Sequence, residues 1–298
     1  MFPHFLGIGA QKAGTSWLYR NLRDHPGVWM PPIKEIHYFD HPNPIPLLVQ
    51  AYVTRSPSWR RRLRRQLRGG LRKMRRPSKR RVHLGWYMRY LALPRNDSWY
   101  ASLFAPGAGQ IAGEVTPIYA CLDESVVAKI HALTPEARII YLLRNPIDRA
   151  WSQGAMLFDR GYLEYQSLYT VPEHVILAFI NNASNNVYEN SDYVQALDVW
   201  GNYYAEEQIF VGFFDQLVES PAALLRDILR FLDLPAGDAY IPANVGRKVN
   251  ARRYPPMSPQ IKRQLARRQY ENLEQLHRRF ANRYTAAWLE DAREALKT

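Results

Sequence analysis

Short continuous apolar runs alternate along the chain with segments whose apolar positions recur at helical spacing. The runs at 5–9, 137–143 and 208–214 predict buried strands, and residues 110–119 predict a further strand that ends at Pro117. Strands that alternate with helices are typical of a parallel sheet covered by helices on both faces. The pattern therefore predicts an α/β fold of the P-loop type.

Helices are predicted between and after these strands. The first follows the strand at 5–9, begins near Thr15 or Ser16, either of which is expected to cap it, and ends by His25. A later helix opens with Pro146, at an early turn where the missing N–H costs little. Further helices are predicted over 85–92, 99–105, 122–133, 173–183, 192–205, 220–234 and 258–296.

Composition bounds the architecture and the location. The 298 residues, 47% of them apolar, suit one large domain over 1–298. The single cysteine, Cys121, excludes an internal disulfide framework, and we expect its side chain to be buried. No apolar run is long enough to span a membrane, and the first strand leaves little room for a signal peptide after Met1. We therefore expect a cytoplasmic protein.

The positive charge is concentrated in one insertion. The net charge is +13, yet residues 55–81 hold fourteen Lys or Arg and no Asp or Glu, so the rest of the chain is nearly neutral. Within 59–76, apolar residues recur at helical spacing among the arginines, which predicts an interfacial helix on an anionic membrane surface. Recruitment of an acidic acceptor and a solvated insertion are the alternatives. Nucleic-acid binding is not expected, because no aromatic platform accompanies the charge.

The loop after the first strand has the features of an anion site, since helix N-termini offer free N–H groups and a positive dipole end. Gly9 and Gly14 have the spacing of a Walker A loop, but Thr15 stands where that motif has Lys, and Lys12 lies inside the loop. Arg144, not Asp, follows the strand at 137–143. These differences favour an anionic nucleotide that is used without Mg²⁺, and we expect no metal ligand.

Two motifs together resemble the PAPS-dependent sulfotransferases, where PAPS is 3′-phosphoadenosine 5′-phosphosulfate. QKAGTSWL at 11–18 is similar to their 5′-phosphosulfate loop, and YLLRNPIDRAWSQ at 141–153 is similar to their 3′-phosphate motif. The heparan-sulfate-type glycosulfotransferases are the most similar branch, through KEIHYFD (34–40), GWYMRYL (85–91), GEVTPIY (113–119) and ARRYP (251–255).

The resemblance implies a binding site for PAPS and its product, 3′-phosphoadenosine 5′-phosphate. Arg144 and Ser152 would bind the 3′-phosphate, and Arg252 and Arg253 would lie over the 3′-phosphate or adenine. Arg149 is equally consistent with a ligand or a structural ion pair. The residues implied at the 5′ end are Gln11, Lys12, Ala13, Gly14, Thr15, Ser16 and Trp17.

The chemistry is expected to rest on three residues. Lys12 would stabilise the charge that develops on the bridging oxygen as the nucleotide leaves. Glu35 is implied as the general base, with His37 as its rival, and pairing of Glu35 with Lys34 as the structural alternative. Val115 departs from the family, which has Lys there.

The acceptor stays open at this stage. It is a hydroxyl or amine of a carbohydrate, a lipid or another small molecule. The competing functions are a P-loop nucleotide kinase and a non-catalytic nucleotide-binding protein.

Overall fold

The structure is a computed structural model. It describes residues 1–41, 43–49, 84–107, 109–161, 171–182, 187–249 and 256–297, without the side chains of 106 and 157–161. The basic insertion at 55–81, with the helix predicted over 59–76, lies outside the described residues.

Five parallel strands form one sheet, which confirms the predicted α/β class. The strands are β1 (Phe5–Gly9), β2 (Val28–Trp29), β3 (Ile111–Val115), β4 (Arg138–Leu143) and β5 (Ile209–Phe213). Their order is β2-β3-β1-β4-β5, and every paired neighbour is parallel. All of β1 is buried, as its continuous apolar run predicts.

The principal helices surround this sheet, most of them at the predicted places, although the helix at 214–219 was not predicted. They are α1 (Thr15–Asp24), α2 (Leu84–Ala92), α3 (Asp97–Ser102), α4 (Glu124–Leu133), α5 (Pro146–Gly161), α6 (Glu173–Asn181), α7 (Tyr193–Gly201), α8 (Phe214–Glu219), α9 (Pro221–Phe231), α10 (Pro259–Phe280) and α11 (Arg283–Lys297). None of these described helices is both long enough and apolar enough to cross a bilayer.

Three local predictions were wrong. The strand β3 stops at Val115, because Pro117 cannot donate to a sheet ladder and instead opens a 3₁₀ turn, Pro117–Cys121. The helix predicted over 258–296 is divided at Ala281, which is left-handed at φ 44. Cys121 is exposed, because it ends that 3₁₀ turn at the surface.

The strand order places the nucleotide loop beside Arg144. β1 lies between β3 and β4. After β1 the chain forms β2 and β3 on one side of it, and then crosses to form β4 on its other side. Ligands of open parallel sheets bind outside the carboxyl ends of the strands at such a switch point. The Ala10 amide donates to the carbonyl oxygen of Leu142 (2.7 Å), so the ends of β1 and β4 meet there.

Candidate active site

The loop between β1 and α1 is held in a left-handed conformation at two positions. Lys12 has φ 72 and Gly14 has φ 93. The amide of Ala13 donates to Ala10 (3.1 Å), and the amide of Trp17 donates to the carbonyl of Gly14 (2.8 Å). The amides at the start of α1 point toward the space beyond its N-terminus, as they do in any α-helix.

Gly14, not Thr15 or Ser16, is the N-cap of α1, and no side chain caps it. The predicted capping by a hydroxyl was therefore wrong. Gly14 has φ 93, a conformation that favours glycine, and a Cβ on it would lie 2.6 Å from the Leu217 Cδ1 atom of α8, which would have to move. The Thr15 hydroxyl instead accepts a hydrogen bond from Lys34 Nζ (3.3 Å).

Trp17 acts as an anchor for a distant segment. Its ring is buried, and its indole N–H donates to the carbonyl oxygen of Val245 (2.7 Å). One turn later, Arg20 donates to the carbonyl oxygen of Asn244 (3.1 Å). These bonds fix the chain that precedes the predicted ARRYP segment against α1; Arg252 and Arg253 themselves lie outside the described residues.

Arg144 lies against the loop. Its Nη1 donates to the Lys12 carbonyl oxygen (3.2 Å), and its guanidinium stacks over the Phe214 ring, 4.7 Å from the ring centre. The Tyr193 hydroxyl donates to the Arg144 carbonyl oxygen (2.9 Å). Arg144 Nε is buried and has no hydrogen-bond partner among the described residues. A buried donor without a partner fits an anionic ligand at this place.

Lys12 and Ser152 flank the same region. Lys12 Nζ lies 3.9 Å from Met156 Sδ on α5, and Met156 lies one helical turn after Ser152, on the same helix face. Ser152 is largely buried. Gln11 also contributes a buried amide oxygen that has no partner within the described part of the chain. The structure thus brings the loop, Arg144 and the Ser152 face of α5 together.

Arg149 is a structural residue. It is fully buried and donates to the Ser191 hydroxyl, the Gln153 side-chain oxygen and the Val187 carbonyl. These acceptors are neutral, so the structural alternative holds without an ion pair. Charge alone could not distinguish Arg149 from Arg144 in the sequence.

Glu35 and His37 lie side by side on the loop after β2. Glu35 Oε1 accepts from Lys34 Nζ (2.7 Å), and Glu35 Oε2 lies 3.6 Å from His37 Nε2. The other ring nitrogen of His37, Nδ1, lies 2.7 Å from Asp40 Oδ2. Lys34 joins this group to the phosphate loop, since the same ammonium also reaches Thr15.

The ion pairs determine the charge of Glu35. Burial alone would raise the pKa of Glu35, but the hydrogen bond from His37 and the charge of Lys34 outweigh it and lower the pKa to about 2. Glu35 is therefore a carboxylate near neutral pH, the form that accepts a proton.

The loop that carries Glu35 and His37 is held by buried groups that were not predicted from the sequence. The Ile36 amide donates to Glu114 Oε2 (3.4 Å), and Arg95 donates to the His37 carbonyl. Glu114 is buried and also accepts from Thr116 (2.6 Å), which holds it in place. Glu114 belongs to the GEVTPIY motif, which contributed to the family resemblance but did not indicate what Glu114 does.

The three predicted catalytic residues share a strained backbone. Lys12, Glu35 and His37 all have φ between 57 and 72, and among the described non-glycine residues only Asp233 and Ala281 also have positive φ. Such conformations cost free energy and persist where surrounding contacts impose them, often at functional sites.

Comparisons with known proteins bear on the family and the fold of this chain. Residues 3–238, more than half of the chain, match the model of the sulfotransferase family. Human bifunctional heparan sulfate N-deacetylase/N-sulfotransferase 2 is 26% identical over 245 residues, which are 78% of this chain and 22% of that protein. Human heparan sulfate glucosamine 3-O-sulfotransferase 6 is 30% identical over 147 residues, 47% of this chain and 40% of the relative. The chain thus spans less than half of the length of either relative.

Solved structures share the fold. A sulfotransferase from Alicyclobacillus acidocaldarius superposes with a TM-score of 0.64 at 22% identity, covering 97% of this chain and 99% of the other. The sulfotransferase domain of the Synechococcus PCC 7002 olefin synthase superposes with a TM-score of 0.55 at 16% identity, covering 89% and 93%.

Proposed function

Since the chain belongs to the sulfotransferase family, we propose that it transfers the sulfuryl group of PAPS to an acceptor hydroxyl or amine. The observation that carries this proposal is the hydrogen bond from Arg144 to the Lys12 carbonyl, 3.2 Å, which joins the two phosphate motifs in one place. A single nucleotide with phosphates at both its 5′ and 3′ positions fits such an arrangement.

The loop residues would hold the 5′ end of PAPS. Gly14, Thr15 and Ser16 offer amides at the start of α1, and Gln11, Ala13 and Trp17 shape the loop around them. The buried Arg144 Nε and the face of α5 that carries Ser152 would receive the 3′-phosphate. Arg252 and Arg253 remain predicted contacts over the nucleotide.

Glu35 is the proposed general base. The acceptor oxygen or nitrogen attacks sulfur, its proton passes to Glu35, and the bond between sulfur and the bridging oxygen breaks. Lys12 stabilises the negative charge that this oxygen gains as 3′-phosphoadenosine 5′-phosphate departs.

His37 is better placed to orient Glu35 than to act as the base itself. Its two ring nitrogens face carboxylate oxygens, Asp40 at 2.7 Å and Glu35 at 3.6 Å. An imidazole that donates to both carboxylates carries a proton on each nitrogen and has no lone pair left with which to act as a base. Asp40 would therefore fix His37, and His37 would fix Glu35.

The competing functions have less support. A nucleotide kinase of the Walker type needs a Lys after the second loop glycine and an Asp after a neighbouring strand, and Thr15 and Arg144 stand at those places. A protein that only binds a nucleotide does not require the ionised Glu35 or the strained backbone of Glu35 and His37, which have positive φ.

The proposed acceptor is a carbohydrate with a free hydroxyl or amine. The support comes from the relatives, whose names place their activity on heparan sulfate and its glucosamine. Lys34, held between Thr15 and Glu35, adds a cation beside the proposed base that suits a polar or anionic sugar.

A transfer assay tests the function. The protein is incubated with PAPS and glucosamine-containing oligosaccharides, and mass spectrometry follows the sulfated product. We expect product only with PAPS and none with ATP and Mg²⁺. Phosphorylated product with ATP and Mg²⁺ would support the kinase instead, and nucleotide binding without turnover of sugars, lipids or small alcohols would support the binding protein.

The basic segment at 55–81 is proposed to contact an anionic membrane surface from the cytoplasmic side. The described residues next to it include exposed apolar side chains, Val49 before it and Leu84 and Met88 after it. Exposed apolar groups beside a cluster of cations suit the interface of an anionic bilayer.

A further inference from the structure

Three metal-binding side chains converge next to the proposed base. His37, Asp40 and His41 each offer a ligand atom, and these atoms lie within 4.8 Å of one another. Asp40 Oδ2 lies 2.7 Å from His37 Nδ1 and 3.7 Å from His41 Nε2. Tetrahedral Zn²⁺ with bonds of about 2.0–2.1 Å separates its ligand atoms by roughly 3.3 Å, so the observed spacings lie on either side of that value.

The second observation concerns Asp40 itself. Its side chain is only 8% exposed, and its Oδ1 oxygen is buried without a hydrogen-bond partner among the described residues. A buried carboxylate oxygen without a partner costs free energy, and a cation bound to this carboxylate would offset that cost.

The surroundings of His37 match those of a metal ligand. A histidine that binds a metal through one ring nitrogen usually donates its other N–H to a carboxylate, which fixes the ring. His37 Nε2 faces Glu35 at 3.6 Å while Nδ1 faces the centre of the cluster. His41 has a side chain that is 56% exposed, so an ion has a path from solvent.

We propose that His37, Asp40 and His41 form a binding site for Zn²⁺, and that its occupancy inhibits the enzyme because the ion takes the place of the contact by which Asp40 fixes the ring that orients Glu35. Two imidazoles and one carboxylate are a ligand set that Zn²⁺ prefers, with a fourth position left for water. Binding replaces the 2.7 Å contact between His37 and Asp40 with two bonds to the ion, and the proton on Nδ1 passes to water. The inhibition, unlike the binding, rests on the proposed function.

Visible absorption of Co²⁺ tests the binding without reference to activity. The full chain, free of any tag, is titrated with Co²⁺ and then with competing Zn²⁺. We expect Co²⁺ bands in the wild-type protein that Zn²⁺ abolishes, and an affinity lower by about 10–100-fold or more in His41→Asn, because losing a ligand costs at least as much as losing an outer-shell partner. His174→Asn, which changes an exposed histidine of α6, is the matched control and keeps wild-type affinity. Equal Co²⁺ affinity in His41→Asn and wild type would overturn the site.

The inhibition is measured separately. Zn²⁺ should lower kcat in the wild type, a chelator should restore it, and His41→Asn should keep its basal kcat while needing 10–100-fold more Zn²⁺, about the same factor as for binding. Zn²⁺ bound at this site without loss of kcat would overturn the inhibitory role and leave the binding site standing. A failure of the proposed function appears differently, as absent turnover in the metal-free protein.

Discussion

Lys12 combines a left-handed backbone with a side chain that reaches α5, where its Nζ lies 3.9 Å from Met156 Sδ. In the proposed function Lys12 acts on the oxygen that gains charge as the nucleotide departs. Lys12→Ala should lower kcat by about 10²–10³-fold, the effect of removing one group that stabilises transition-state charge. Lys297→Ala, at the exposed end of α11, is the matched control. Steady-state kinetics that show near wild-type turnover for Lys12→Ala would refute the role.

Glu35 predicts a pH dependence whose sign can be worked out. Burial would raise the pKa of Glu35, and His37 and Lys34 together lower it to about 2. In His37→Asn the pKa of Glu35 should rise, because one of the groups that oppose burial is removed. A base must be deprotonated to work, so activity should be lost at a higher pH on acidification than in the wild type.

The pH dependence of kcat/KM measures this shift. We expect the acid limb of His37→Asn to lie at higher pH, and that of His174→Asn to coincide with the wild type. An acid limb that does not move in His37→Asn would show that His37 does not control the charge of Glu35.

At the scale of elements, the close approach of α8 to the phosphate loop depends on Gly14. A Cβ there would lie 2.6 Å from Leu217 Cδ1, and φ is 93. Gly14→Ala should therefore lower the free energy of unfolding by about 1–3 kcal/mol and weaken nucleotide binding. Gly201→Ala is the control, because no atom lies within 4 Å of the added carbon. Urea unfolding compares the two, and equal stabilities would contradict the packing described.

The elements themselves were largely readable from the sequence. Apolar runs located β1, β3, β4 and β5 but not the two-residue β2, and periodicity with Pro146 located α5. The cap of α1 was not predicted, because hydroxyls normally cap helices, whereas here the N-cap is Gly14, which is left-handed and packs against Leu217 of α8. Local preference was overridden by a contact between residues far apart in the chain.

In the candidate site, too, residues in local motifs were predictable and contacts between distant segments were not. Lys12 and Arg144 were predicted because they lie in local motifs, and the structure brings them together. The conformation of the Glu35 loop was not predictable, because it is imposed by the bond from Ile36 to Glu114, 78 positions away. Arg149 stayed ambiguous for the same reason, since its acceptors lie in other segments.

At the scale of the whole molecule, charge is divided between a nearly neutral body and the segment at 55–81. The protein should sediment with vesicles that contain phosphatidylserine at low salt and be released at high salt, because screening weakens such contacts. Replacement of Arg60, Arg61, Arg62, Arg64 and Arg65 by Gln should weaken binding, at about 1 kcal/mol for each charge. Phosphatidylcholine vesicles are the control, and failure to sediment with the anionic vesicles would refute the contact.

The sheet order unites two distant stretches of sequence into one nucleotide site. β1 and β4 are neighbours, so Lys12 and Arg144 meet although 132 positions separate them. The central claim is that the loop at Lys12 holds the 5′ end of the nucleotide while Arg144 holds its 3′-phosphate.

Calorimetric binding of 3′-phosphoadenosine 5′-phosphate and of 5′-AMP tests this claim most directly, because the two ligands differ only in the 3′-phosphate. The wild-type protein should prefer the bisphosphate by about 10–100-fold, the value of a charge-assisted hydrogen bond of 1.5–3 kcal/mol. Arg144→Ala should lose that preference, and Arg267→Ala, which changes an exposed arginine of α10, should keep it. An Arg144→Ala variant that still prefers the bisphosphate as strongly as the wild type would contradict the account.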